Sequence, residues 1–339
     1  MLMVGISPGS VKLFGEHAVI YDRVGVAASF DRYATVRISP NPADRVEIAL
    51  PDLGLIETIT EDDFEREHAS VEFAVSHHDA GRLRELRQGK FALPFAYIIG
   101  SVFLRKGFQP LRVDVRSQVP RHSGLGSSSA IFTALAKELD AHFKLGFGTQ
   151  AVADLANKGD IVVHGSPSGI DVNTCAHGGI LRFRKKEGVT RLNVTARIPV
   201  VVVNTNVTKD TGEMIAKVAK RYATDRSGTD EIFDDMQEAA FAGIDALGAG
   251  DLVALGAELD RAERCFERLG LSTRETDEVV SVARKHGAYG AKISGAGGGG
   301  CVIAVAKEPS KLIPLFAKMG YPAFETLLGV DGAAHKEIA

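Results

Sequence analysis

The alternation of apolar and polar positions predicts short strands and amphipathic helices in an irregular order. Val11, Leu13, Val24–Phe30 and Ala34–Ile38 read as strands with turn residues between them. Residues 58–90 (TITEDDFEREH, then HHDAGRLRELRQGK) are charged and irregular, which predicts surface helix and loop. Phe91–Lys106 is apolar enough for a buried helix. Leu111, Val113 and Val115 alternate with Arg112, Asp114 and Arg116, the pattern of a half-buried strand. That strand runs into PRHSGLGSSSA, and a helix follows with Ile131, Leu135 and Leu139 on one face and Ala134 beside them. Ala151–Lys158 predicts a second, short helix; HGSPSGIDVN (164–173) reads as loop, and Gly179–Arg184 as a strand.

The second half opens with an apolar strand, Pro199–Asn204. Helices are predicted over 211–222, 231–247, 251–268 and 273–286. Strands Ala291–Ser294 and Cys301–Ala306 flank a glycine cluster, and a helix near 310–318 and a strand near 322–328 finish the chain. RFRKK (182–186) and the polar stretch after it mark a domain boundary, so residues 1–186 and 187–339 are expected as two domains. A length of 339 residues agrees, at ~150 residues per domain. Without a regular βαβ rhythm the fold class is α+β rather than a doubly wound sheet.

Composition narrows the partners. With 45% apolar and 24% charged residues the chain is globular, not disordered or collagen-like. A net charge of −3, from 40 basic and 43 acidic residues, gives no field for nucleic acid or an anionic membrane. Cys175, Cys265 and Cys301 are far apart and odd in number, so neither zinc spacing nor a disulfide framework is expected, and a reducing cytoplasm is. The segment MLMVGISPGSVKLFGEH lacks a basic region followed by an apolar core, so no signal peptide is expected. The most apolar runs without Asp, Glu, Lys or Arg, Phe91–Leu104 and Ile293–Ala306, have 14 residues each. A membrane span needs ~20. Glycine stands out, at 36 residues, and what matters is where it concentrates.

One concentration is Ser123-Gly124-Leu125-Gly126-Ser127-Ser128-Ser129, between a strand and a helix. Small residues let backbone approach a ligand, and a helix N-terminus suits a phosphate. The serines could cap the helix or reach a phosphate-bound magnesium ion. The Gly-Lys-Ser/Thr end of a Walker A loop is missing. A second concentration is Gly295-Ala296-Gly297-Gly298-Gly299-Gly300. It matches G-x-G-x-x-G, but the following CVIAVA reads as a strand, which disfavours a Rossmann site. The readings left are backbone against a ligand and a flexible hairpin turn. In the third segment, 164–171, Asp171 sits in a Pro/Gly-braced loop and could accept a proton. Asp160, at a helix end, could hold a cation; each aspartate alone could also be a cap or a solvated residue. The fourth segment is PGSVKLFGEHAVIY (8–21), a strand with a charged pair at its end.

These four segments, in this order, resemble the GHMP kinase superfamily: galactokinase, homoserine kinase, mevalonate kinase and phosphomevalonate kinase. Within it, GEHAVIY, HGSPSGID, NTNVTKDT (204–211), LGLSTRETDEVVSVARKHGAYGAK (269–292) and KISGAGGGGC (292–301) are similar to mevalonate kinases, particularly archaeal-like ones. The resemblance implies an N-terminal α/β nucleotide-binding domain and a ferredoxin-like C-terminal domain, with ATP in the cleft. It implies that 123–129 wrap the ATP phosphates and that Gly295, Gly297 and Gly298 close over them from the second domain. Ser128 and Asp160 fall on the magnesium positions; the family usually has glutamate at the second. Asp171 falls on the catalytic aspartate. Glu16 and His17, with Ser168 and Gly169, fall where the acceptor is held, and mevalonate is the acceptor implied. Phosphomevalonate or a sugar as acceptor, or a non-catalytic ATP sensor, are the alternatives. A homodimer is left open. The lysine that often follows Pro-Gly and pairs with the catalytic aspartate is replaced here by Ser10. Lys12, two residues on, shares a strand face with it and could substitute. Alternatively, Lys12 faces solvent and the site works without a lysine.

Overall fold

In a computed structural model the structure describes residues 2–121, 123–208 and 211–338. The first half runs β1 (Leu2–Phe14), β2 (Gly25–Pro40), β3 (Val46–Leu50), β4 (Leu55–Ile59), α1 (Glu61–Ser76), α2 (Ala80–Arg87), α3 (Leu93–Lys106), β5 (Leu111–Ser117), α4 (Ser127–Phe143), α5 (Thr149–His164), α6 (Ile170–His177), β6 (Ile180–Arg184) and β7 (Gly188–Arg191). The second runs β8 (Ile198–Asn204), α7 (Thr211–Thr224), α8 (Arg226–Ala249), α9 (Leu252–Leu269), α10 (Arg274–Lys285), β9 (Ala288–Ser294), β10 (Cys301–Ala306), α11 (Ile313–Lys318), β11 (Ala323–Leu328) and β12 (Ala334–Ile338). The mixed helix-and-sheet class expected from the pattern is the one observed.

One twelve-stranded sheet joins the halves, in the order β4-β3-β5-β2-β11-β8-β10-β9. β2 is the seam: Ala34–Pro40 pair with β5, Gly25–Ala28 with β6, and Phe30 with Leu328 of β11. β1 lies along β2 and takes β12 on its other edge. The boundary expected between 186 and 187 lies in the turn of the β6–β7 hairpin, where Arg184 pairs with Gly188.

The central strands are buried on both faces, which is why they read as unbroken apolar runs. On β8, Val200 and Val202 enter one core while Val201 and Val203 enter another. On β10, Cys301, Ile303 and Val305 face the first core, and Val302, Ala304 and Ala306 the second. The first core is covered by α3–α6 of the first half together with one face of α8 and α9, and the second by α7–α10. α3 buries ten of its 14 residues, as its composition predicts.

Three local expectations are corrected. The helix predicted over 151–158 runs on to His164, so Asp160 lies inside α5 and is buried. Ile161-Val162-Val163 argues locally against helix, but Val162 packs with Val71, Leu83, Leu93 and Tyr97. The segment read as loop at 164–173 turns helical at Ile170, after Gly169 at φ +77°. The strands β3, β4 and β12 fall where the pattern assigns none; β12 gains its structure from β1, more than 300 positions away.

Candidate active site

β1 carries Ser10 and Lys12 on one face, two residues apart. Asp171, in the first turn of α6, meets both. Lys12 Nζ lies 2.6 Å from each Asp171 carboxylate oxygen. The Ser10 hydroxyl donates to Oδ1. Burial pushes the Asp171 carboxyl up, but Lys12 and the Ser10 hydrogen bond outweigh it and hold the group below the usual carboxylate range. Lys12 therefore faces the aspartate, and the solvent-facing alternative does not hold.

The serine-glycine loop lies beside this centre. The Ser10 amide donates to the Leu125 carbonyl at 3.1 Å. Gly126, at φ +64°, turns the chain into α4, and a Cβ there would run into the Ser10 hydroxyl. No side chain caps α4. Ser127 instead donates to the Val119 carbonyl at 3.3 Å, and Ser128 to Asp160 Oδ1 at 3.1 Å. Ser129 donates to the other Asp160 oxygen. The capping expectation for the serines is thus corrected: the helix start is left to its amides and dipole, which suit an anion. Burial raises the Asp160 carboxyl; His164 and Ser129 oppose the shift, and Asp171 adds to it. His164 Nε2 lies 3.4 Å from the Ser128 hydroxyl. A hydroxyl and a desolvated carboxylate side by side are hard oxygen donors, so Ser128 and Asp160 fit a magnesium ion.

The glycine cluster between β9 and β10 closes the arrangement. Gly295 and Gly297–Gly300 all have positive φ, from +72° to +115°, so the loop needs glycine for its backbone path. It is tied to its own half by Gly298 N to Leu271 O at 2.7 Å and Gly300 N to Val207 O at 3.1 Å. It meets the first half through His17 Nε2 and the Ala296 carbonyl, 2.8 Å apart. Ser294 Oγ accepts from the Lys12 amide at 3.1 Å, and the Cys301 amide donates to the Ser123 carbonyl at 3.2 Å. All three glycine-bearing segments therefore gather around the C-terminal end of β1 and the turn that follows it.

Glu16 is turned inward. Its side chain is 3% exposed and pairs with Lys292, which is 0% exposed. A direct role at an acceptor would need that pair to open. Ser168 and Gly169 sit at the entrance to α6; Ser168 Oγ accepts from the Ile170 amide at 3.4 Å, and Gly169 precedes the first helical residue. Lys292 was the readable signal missed: one lysine in an otherwise apolar strand, AYGAKIS. His164 opens the HGSPSGID segment, but its meeting with Ser128 depends on α5 running on to it, four residues past Asp160.

Comparison with known proteins agrees along the whole length. The family description "GHMP kinases N terminal domain" matches residues 95–179, and "GHMP kinases C terminal" matches 244–321. A mevalonate kinase of Thermococcus sibiricus is 30% identical over 318 residues, covering 91% of this chain and 90% of that protein. One from Pyrococcus abyssi is 29% identical, covering 99% and 98%. The crystal structure of Methanococcus jannaschii mevalonate kinase superposes with a TM-score of 0.81 at 22% identity, covering 96% of this chain and 98% of that one. At that identity the superposition speaks for the fold.

Proposed function

The chain belongs to the GHMP kinases, on the mevalonate kinase branch, and we propose that it moves the γ-phosphoryl group of ATP to the primary hydroxyl of mevalonate. The observation that carries this reading is the Lys12–Asp171–Ser10 contact, set against an uncapped helix start. In phosphoryl transfer, positioning and charge stabilisation do most of the work. Asp171 orients the acceptor hydroxyl and takes its proton. Lys12 keeps Asp171 ionised. The amides of the 123–129 loop and of Gly295, Gly297 and Gly298 hold the phosphates. Ser128 and Asp160 would hold Mg²⁺, whose charge offsets that of the β- and γ-phosphates when bound. His17 holds the Ala296 carbonyl and so ties the acceptor side to the closing loop.

A phosphorylated acceptor would call for extra cations. Of the basic residues that the sequence offers for that role, Lys12 and Arg121, Lys12 is engaged by Asp171 and Arg121 is exposed. That favours the unphosphorylated acceptor. The test is coupled ADP release with ATP and Mg²⁺ against mevalonate, phosphomevalonate, galactose and homoserine. Turnover is expected with mevalonate alone. ADP formed only with another member of the panel, or with none despite ATP binding, would overturn the reading.

Two further outcomes follow from the geometry. At Gly299, φ is +115° and a Cβ would sit 2.7 Å from Val207 Cγ1 and its carbonyl oxygen. Gly299→Ala should displace the loop and raise KM for ATP by roughly 10-fold, read from initial rates at saturating mevalonate. An unchanged KM would remove the loop from ATP binding. Lys12→Met should shift the acid limb of the kcat/KM profile to higher pH. Without the ammonium, burial dominates, the Asp171 carboxyl rises, and the base is lost at a higher pH. A limb that stays in place would show that Lys12 does not set the aspartate's ionisation.

A further inference from the structure

Away from the proposed site, three carboxylates meet between α9 and α10. Glu263 and Glu267 lie four residues apart on one face of α9, and Asp277 is in the first turn of α10. One oxygen of each lies within 4.8 Å of the others. Glu267 and Asp277 are exposed, whereas Glu263 is 0% exposed. Glu263 Oε2 accepts from the Ile293 amide at 2.7 Å; its Oε1 is buried with no hydrogen-bond partner. A buried carboxylate oxygen without a partner is costly, and two more carboxylates beside it add repulsion. The Lys292 ammonium, whose charge acts on Glu263, gives its hydrogen bonds to Glu16 and the Ile293 carbonyl.

We propose that Glu263, Glu267 and Asp277 form a site for a hard divalent cation, separate from the Ser128–Asp160 pair. The donor set is all oxygen, the choice of Ca²⁺ and its relatives. At Ca–O distances of about 2.3–2.6 Å, two oxygens on one ion stand no more than about 5.2 Å apart, a limit the three carboxylate oxygens meet. Two exposed carboxylates give the ion a way in and leave room for water ligands. The site would pin α9 to α10 across the turn at Gly270–Thr273. That turn carries the Leu271 carbonyl on which Gly298 rests. A cation here would therefore brace the support of the glycine loop from behind. The proposal does not depend on which acceptor the enzyme uses.

The experiment is titration of the full chain, free of nucleotide, with Ca²⁺ and separately with Mg²⁺. Binding is followed by calorimetry and by the melting temperature. Ca²⁺ is expected to bind with one-to-one stoichiometry and to raise Tm by about 2–4 °C at saturation. Glu267→Gln/Asp277→Asn, two surface changes that leave the core intact, should abolish both responses. Asp160→Asn should keep them, which separates this site from the Ser128–Asp160 pair. No response to either ion in the wild-type chain would overturn the proposal. So would a Ca²⁺ response that survives the double substitution, or one that disappears with Asp160→Asn.

Discussion

Asp171→Asn should lower kcat by about 10²–10⁴ while leaving ATP binding nearly unchanged, because a positioned acid–base group contributes that much and the proposed mechanism gives the nucleotide to other residues. The amide keeps the size of the side chain and can still accept from Ser10. What it loses is the negative charge that Lys12 holds in place at 2.6 Å. Stopped-time ADP assays give kcat, and nucleotide titration gives the affinity. An Asn variant with near-normal turnover would remove Asp171 from the chemistry. Stability has a pH signature as well. The folded carboxyl is held below its ordinary value, so its ionisation adds stability above the unfolded pKa. That contribution is lost as pH falls through the folded pKa. The stability gap between wild type and Asp171→Asn should therefore be full at neutral pH and shrink below the ordinary carboxylate range. A gap that widened in acid would contradict the depressed pKa.

Lys292→Met should destabilise the fold by about 3–5 kcal/mol, because it leaves the Glu16 carboxylate buried without its partner. Methionine fills most of the lysine stem's volume, so the loss reports charge rather than packing. Phe266 would also lose the ammonium that lies 5.1 Å from its ring centre. At ~2.1 cal/mol/K of unfolding entropy per residue, a chain of this length unfolding as one unit would melt about 4–7 °C lower. The double variant Glu16→Gln/Lys292→Met should recover part of that loss, since no unpaired charge is left inside. Thermal melts of the two single variants and the double complete the cycle. Strict additivity would mean that Glu16 and Lys292 act independently, and the pair would then not be what joins the two halves at this point.

Much of the fold can be read locally. Alternation gives β5, and unbroken apolar runs give β8 and β10, because both faces of those strands are covered. Helices α7–α10 are visible in their amphipathic spacing. Asp160 and Asp171 are harder cases. Locally, one sits at the edge of a β-branched run and the other in a loop rich in Gly and Pro. Only packing shows that both lie in helices, one inside α5 and one in the first turn of α6. The serines at 127–129 look like caps, and tertiary contact with Asp160 gives two of them a different partner.

By itself, then, the sequence determined the fold class, most of the elements, the family, and three small-residue segments suited to lie close to a ligand. Those are properties of neighbouring residues: periodicity, turn chemistry and glycine at positive φ. Only the tertiary structure decided that Lys12 reaches Asp171 from a position shifted along β1. It also decided that Glu16 pairs with Lys292, and that Glu263 lies buried beside two exposed carboxylates. Each of these depends on long side chains from distant elements meeting across an interface. No local pattern encodes that meeting, because the choice between solvent and a partner is made by whichever surface folds against it.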